Sequence, residues 1–260
     1  PYGWAQFLAR RIARVAPMYW LAMLLYALMQ AGRGKWHVFQ PDRILTSAAF
    51  WPYRAQDNTM LHVYGIGWTL NFEIFFCAVF GVGLWALRGR APPLIAAALC
   101  LFVLVGALLP LGNPLAYWSD SIILEFVFGM GIGAAYLAGL RLSDGVSFLL
   151  GGLGLGLIVA GGLSGYVAPL PSEPFNWPRC AVWGVPVALV MAAVILRPAG
   201  RLAGWAPLQA LGDASYSIYL LHSLTIILSR PVIAAALDLT PSVAGKYCIA
   251  AAAVALVSAV

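Results

Sequence analysis

Three clusters in this sequence combine reactive side chains with helical spacing. The first is Arg10-Arg11-Ile12-Ala13-Arg14, in which Arg11 and Arg14 stand three apart and so share a helical face. A planar guanidinium binds phosphate bidentately, which lysine does not, so an all-arginine cluster suits an anionic, phosphate-bearing ligand. Topology anchoring is the competing reading. The second cluster is Gly67-Trp68-Thr69-Leu70-Asn71-Phe72-Glu73-Ile74-Phe75-Phe76, where Glu73 stands in an otherwise apolar run. A carboxylate in hydrocarbon is costly and defaults to a functional hypothesis. It can serve as a general base for a hydroxyl, as the orienter of a histidine, or as one half of a structural ion pair. Thr69, Glu73, Phe76 and Cys77 recur on one face of that helix. The third cluster is Gly212-Asp213-Ala214-Ser215-Tyr216-Ser217-Ile218-Tyr219-Leu220-Leu221-His222. Asp213 is placed to cap a helix whose Ser215, Tyr219, His222, Thr225 and Ser229 form a polar stripe, expected to face the interior of a bundle. An intramembrane histidine is more often a hydrogen-bonded packing residue than a base, so His222 is read as structural before catalytic.

The elements that hold these clusters are membrane spans. Of 260 residues, 62% are hydrophobic and 9% charged, against about 25% charge in a soluble domain. Eight windows reach the length that crosses hydrocarbon, about 20 residues: 15–31, 68–87, 92–111, 120–140, 145–166, 179–196, 212–230 and 243–260. The fold class is therefore all-α, a polytopic transmembrane bundle. The net charge of +6 rests on 13 Arg and 2 Lys scattered at span ends, which is the positive-inside pattern and not a nucleic-acid surface. Arg10, Arg11 and Arg14 put the N-terminal side in the cytoplasm, and alternation puts Arg88, Arg90, Arg141, Arg197 and Arg201 there too. Glu73 then lies near the outer end of the second span, whereas the arginines lie at the inner mouth of the first.

The segment 32–67 is expected to be a long non-cytoplasmic stretch, despite Arg33, Lys35, Arg43 and Arg54. Its aromatics, Trp36, Phe39, Phe50, Trp51, Tyr53 and Tyr64, suit interfacial anchoring or a platform for a sugar face, and Ile44–Trp51 is short enough to lie in the interface. Cys77, Cys100, Cys180 and Cys248 read as small buried hydrophobes; no spacing suggests a disulfide or a metal site. Gly129 with Gly133, and Gly152 with Gly156, are the glycine pairs expected to let helices approach closely. Glu125 lies close to the outer end of the fourth span, within reach of water, and Pro186 interrupts the sixth.

Phe7-Leu8-Ala9-Arg10-Arg11-Ile12-Ala13-Arg14-Val15-Ala16-Pro17-Met18-Tyr19-Trp20 resembles the arginine motif of the membrane acyltransferase-3 family. Trp68-Thr69-Leu70-Asn71-Phe72-Glu73-Ile74-Phe75-Phe76 resembles its Trp-Ser/Thr-Leu-x-x-Glu-x-x-Phe-Phe/Tyr motif, and Ser215-Tyr216-Ser217-Ile218-Tyr219-Leu220-Leu221-His222 is similar to its late Ser-Tyr-x-x-Tyr-Leu-x-His motif. The three occur in the family's order across nearly the whole chain, and the Gly-Ile-Gly before Trp68 most resembles the exopolysaccharide acetyltransferase branch.

The resemblance implies one membrane domain over 1–260 in the bacterial cytoplasmic (inner) membrane. It implies an enzyme passing an acyl group, acetyl in that branch, from cytoplasmic acyl-CoA to a hydroxyl of a cell-surface glycan or lipid-linked sugar. Acyl-CoA is the co-substrate, with no tightly bound cofactor, metal or nucleic acid. Arg11 and Arg14 match the pair thought to engage CoA, and Glu73 matches the functionally important intramembrane glutamate. Trp68 and Tyr219, from the second and third motifs, are the candidates to touch substrate. The family has ten spans with a catalytic histidine on the first, and the eight spans here correspond to the third to tenth. The chain opens on Pro1, so it is expected to be a piece of a longer protein whose upstream histidine His222 does not replace, and to be inactive alone. A transporter or flippase of a lipid-linked glycan is the alternative, since an intramembrane Glu and a polar stripe also suit transport.

Overall fold

The computed structural model describes residues 3–52, 62–87, 90–166, 177–198 and 204–238, with 230–238 as backbone only. The described residues are helical throughout: α1 Trp4–Gly32, a 3-10 turn Trp36–Phe39, α2 Pro41–Ala48, α3 Gly67–Leu87, α4 Ala91–Leu108, α5 Leu115–Trp118, α6 Ile123–Leu137, α7 Asp144–Leu163, α8 Trp177–Arg179, a π-turn Cys180–Gly184, α9 Val185–Ile195 and α10 Ala206–Asp238. Among them α1, α3, α4, α7 and the stretch Trp177–Ile195 are long and apolar enough to cross a membrane, and α6 is a shorter apolar helix. Only 17% to 33% of each spanning window is buried against protein. The remaining apolar surface faces outward, as it does where the solvent is lipid. The expected span 212–230 lies within α10; the span 243–260 lies outside the described residues, as do Tyr53, Arg54, Arg88, Arg201 and Cys248.

Local chemistry explains where the helices depart from the expected windows. The arginine cluster lies inside α1 rather than at its mouth: α1 begins at Trp4 and passes through Pro17 to Gly32, because arginine is a good helix former and no breaker precedes Pro17. α6 starts at Ile123, not 120, because the Asp120 carboxylate accepts the Ile122 backbone N–H at 2.9 Å. It stops at Leu137 because Gly139 takes φ +82 and its N–H bonds the Tyr136 carbonyl, a closure glycine permits. Pro186, which cannot donate to the helix ladder, sits in the first turn of α9, directly after the π-turn.

Two clusters form the core. In one, Val15, Tyr19 and Met23 of α1 meet Val38, Phe50 and Tyr64 of the 32–67 segment and Leu220 and Leu224 of α10. In the other, Phe72 of α3 packs with Ile95, Leu99 and Val103 of α4, with Tyr117 of α5 and with Ile123 of α6. Phe50 and Tyr64 thus serve the core, stacking beside Tyr19 and Tyr26, while Trp36 and Trp51 stay exposed. The short helix of this segment is Pro41–Ala48, held by the Trp20 indole N–H donating to Ala48 O at 3.0 Å.

The expected glycine pairs do not make the close approaches: nothing lies within 4 Å of where a side chain would start at Gly129, Gly133, Gly152 or Gly156. Gly154 and Gly161 do so instead. A Cβ at Gly154 would meet Pro186 O and Val190 Cγ2 at 2.7 Å, and one at Gly161 would meet Val182 Cγ1 at 2.8 Å. Two turns apart, they form the stripe on which α7 packs against the π-turn and α9. Of the cysteines, Cys77 and Cys180 are buried, but Cys100 is exposed on the outer face of α4.

Candidate active site

α1 and α3 run antiparallel in a fixed register. Trp4 meets Trp85 (ring centroids 6.4 Å apart) and Phe7 meets Phe80 (5.7 Å). Leu8 fills the space beside Gly81, and the absence of a side chain at Gly67 admits the Tyr19 ring. Between these contacts, Arg11 and Arg14 come level with the Glu73–Cys77 stretch of α3. The sequence reading put the arginines and Glu73 at opposite ends of their spans; the stagger brings them to one level. The charges of Arg11 and then Arg14 act on the half-buried Glu73 carboxyl. Neither guanidinium is within 4.0 Å of it, so the carboxylate is influenced but not neutralised by a direct ion pair.

Glu73 and Arg11 line one cavity of about 640 Å³ together with Thr69, Phe76, Tyr216 and Tyr219. Ligand clefts run to about 300–1,000 Å³, so this one is large enough for an extended ligand arm and an acyl group. Its walls are mainly apolar, built by Phe7, Phe80, Phe126 and Met130, with the charged groups projecting into it. α10 supplies the third side. The Tyr216 hydroxyl donates to Val15 O at 2.8 Å, the Tyr64 hydroxyl donates to Leu220 O, and Leu220 and Leu224 are buried. These contacts fix the rotation of α10 so that Tyr216 and Tyr219 reach the cavity.

The polar stripe of α10 departs from expectation. Ser215 and Tyr219 are exposed, whereas Leu220 and Leu224 are the buried positions. The apolar line 216–220–224 packs against α1 because burying leucine gains more than burying hydroxyls that the helix backbone already satisfies: Ser215 donates to Gly212 O and Thr225 to Leu221 O. His222 does not line the cavity. Its Nδ1 is hydrogen-bonded to Tyr219 O in its own helix, and its Nε2 lies 3.4 Å from Ser223 Oγ.

Trp68 precedes Thr69 on the first turn of α3, its carbonyl accepting the Tyr117 hydroxyl at 3.0 Å. The Arg179 guanidinium lies over its ring, 5.1 Å from the centroid. Sequence reasoning assigned no role to Arg179 and left Glu125 to reach water; here the two face each other at 3.7 Å, and Glu125 also lines the large cavity. The available signal was weak: an arginine at the first turn of an apolar window reads as an anchor.

The family described as "Acyltransferase domain" (Acyl_transf_3) matches residues 1–260. The chain is 32% identical over 224 residues to "Exopolysaccharide production protein ExoZ" of Rhizobium meliloti (strain 1021), covering 85% of this chain and 68% of that protein. No solved structure matches. The multi-span helical bundle, Arg11 and Glu73 sharing one cavity, and the match along the whole length agree: the chain belongs to the membrane acyltransferase-3 family, in its ExoZ-like branch.

Proposed function

We propose that this protein moves an acyl group, acetyl in the simplest case, from acyl-CoA to a hydroxyl of an exopolysaccharide or its lipid-linked precursor in the bacterial inner membrane. The observation that carries the reading is the placement of Arg11 and Glu73 in one apolar cavity. Arg11 and Arg14 supply two guanidiniums for the phosphates of the donor. Their charge exceeds that of Glu73, so this part of the cavity favours an anion. The thioester arm lies along the aromatic wall formed by Phe7, Phe76 and Phe80.

The chemistry is acyl transfer. A base takes the acceptor hydroxyl proton and the alkoxide oxygen attacks the thioester carbonyl. The tetrahedral oxyanion then collapses, expelling the CoA thiolate, which is protonated. Glu73 is the carboxylate in the cavity that takes the hydroxyl proton. The Tyr219 hydroxyl shares the cavity wall with Glu73 and is placed to turn its O–H from Thr69 to the developing oxyanion.

Acetyl-CoA-dependent thiol release by the full-length enzyme, followed with wild type and Glu73→Gln, tests this. The amide keeps the shape and cannot take a proton, so the rate should fall by about 10²–10⁴-fold. Undiminished release by well-folded Glu73→Gln removes Glu73 from the chemistry.

A further inference from the structure

A second charged group sits in the same groove and is not needed for donor binding or proton transfer. Glu125 on α6 and Arg179 at the start of the Trp177–Ile195 stretch face each other at 3.7 Å. The guanidinium covers one face of the Trp68 indole at 5.1 Å. These three residues line a side chamber of about 220 Å³. Thr69, Glu125 and Phe126 border both this chamber and the large cavity, so the two spaces adjoin. The backbone makes room for the pair: a Cβ at Gly184 would stand 3.1 Å from Glu125 Cγ. Gly184 closes the π-turn Cys180–Gly184, and such turns inside helices recur at functional sites.

We propose that Glu125, Arg179 and Trp68 form the acceptor subsite and that it takes a neutral, hydroxyl-rich sugar ring. The proposal rests on the acyl-transfer reading above. A carboxylate accepts from sugar hydroxyls and a guanidinium donates to them, so the pair offers both hydrogen-bond polarities across one ring. The indole supplies a flat apolar surface beside them. The formal charges of Glu125 and Arg179 cancel, whereas two guanidiniums against one carboxylate leave the Glu73 region positive. An anionic ligand is therefore drawn to the arginine end, and an uncharged polyol meets no such competition at Trp68. Thr69 lies on the border between the two spaces, where an acceptor hydroxyl would meet a thioester carbonyl.

The test uses purified full-length protein in lipid nanodiscs and two independent readouts. Saturation-transfer NMR measures binding of methyl β-glucopyranoside and of its anionic counterpart, methyl β-glucuronide; equilibrium binding of radiolabelled acetyl-CoA measures the donor site. Wild type should bind the neutral sugar in preference to the glucuronide, a comparison that needs no variant. Trp68→Ala and Glu125→Gln should weaken sugar binding by about tenfold or more, with acetyl-CoA binding unchanged in Trp68→Ala, since Trp68 lines only the side chamber; Trp68→Phe should retain most of it. Equal binding of the two sugars, no binding of either, sugar binding that survives Trp68→Ala and Glu125→Gln, or loss of acetyl-CoA binding in Trp68→Ala would each overturn the subsite. Wild type that binds the neutral sugar through Trp68 but not acetyl-CoA would support the subsite and instead sink the acyl-transfer reading.

Discussion

The hydroxyls of Thr69 and Tyr219 lie 2.7 Å apart, joining α3 to α10 across 150 residues of sequence. This bond lies on the cavity wall, with Thr69 one turn from Glu73. Removing the Tyr219 hydroxyl breaks this one neutral hydrogen bond, worth about 1 kcal/mol, whereas removing that of Thr69 also loses its donation to Ile66 O. Tyr219→Phe should lower kcat by about tenfold, and so should Thr69→Val, which removes the acceptor that positions Tyr219, with the double variant little worse than either single one. A double-mutant cycle on thiol release measures the coupling. His222→Ala should cost far less than Tyr219→Phe, since His222 bonds its own helix and does not line the cavity.

Arg11→Lys and Arg14→Lys keep the charge and lose the bidentate fork. Each should raise the KM for acetyl-CoA by about tenfold, the scale of one charge-assisted hydrogen bond, with a smaller effect on kcat. Steady-state kinetics of the full-length enzyme provide the check, and unchanged KM in both variants would return the arginines to anchoring.

His62 makes its surroundings beside Ser47 and Asn71 sensitive to acid. Burial first, and the Arg43 charge second, push its pKa down to about 4. Its Nε2 lies 3.4 Å from Asn71 Nδ2, next to the bond from Val63 N–H to Ser47 Oγ. A histidine with a lowered folded-state pKa must charge as the chain unfolds. Its contribution is therefore full above about 6.5 and is lost as pH falls toward about 4. The thermal midpoint should drop over that window, and His62→Gln should flatten the drop. An identical pH profile in the variant would show that another group carries it.

Gly154→Ala should destabilise the α7–α9 contact by about 1–3 kcal/mol, because its Cβ would press on the backbone oxygen of Pro186. Gly152→Ala, with open space at that position, should be neutral or slightly stabilising. Chemical unfolding in detergent, comparing the two, separates packing from helix propensity.

The sequence alone determined the solvent and the class of chemistry. Hydropathy is a one-dimensional property, so the long apolar runs declared a helical membrane bundle before any packing was known. The arginine motif, Glu73 and the Ser215–His222 run carried the family because each is local in the chain. It did not determine depth or rotation. The register of Trp4 on Trp85 and Tyr19 on Gly67 decided that Arg11 and Glu73 would share one level. The burial of Leu220 and Leu224 decided that Tyr219, and not His222, would reach the cavity. Close approach likewise belongs to Gly154 and Gly161, since a glycine spacing does not say which face meets a neighbour. The pairing of Glu125 with Arg179, 54 residues further along, was invisible for the same reason: each reads alone as a residue near water, and only the packing of α6 against the π-turn and α9 makes them one site.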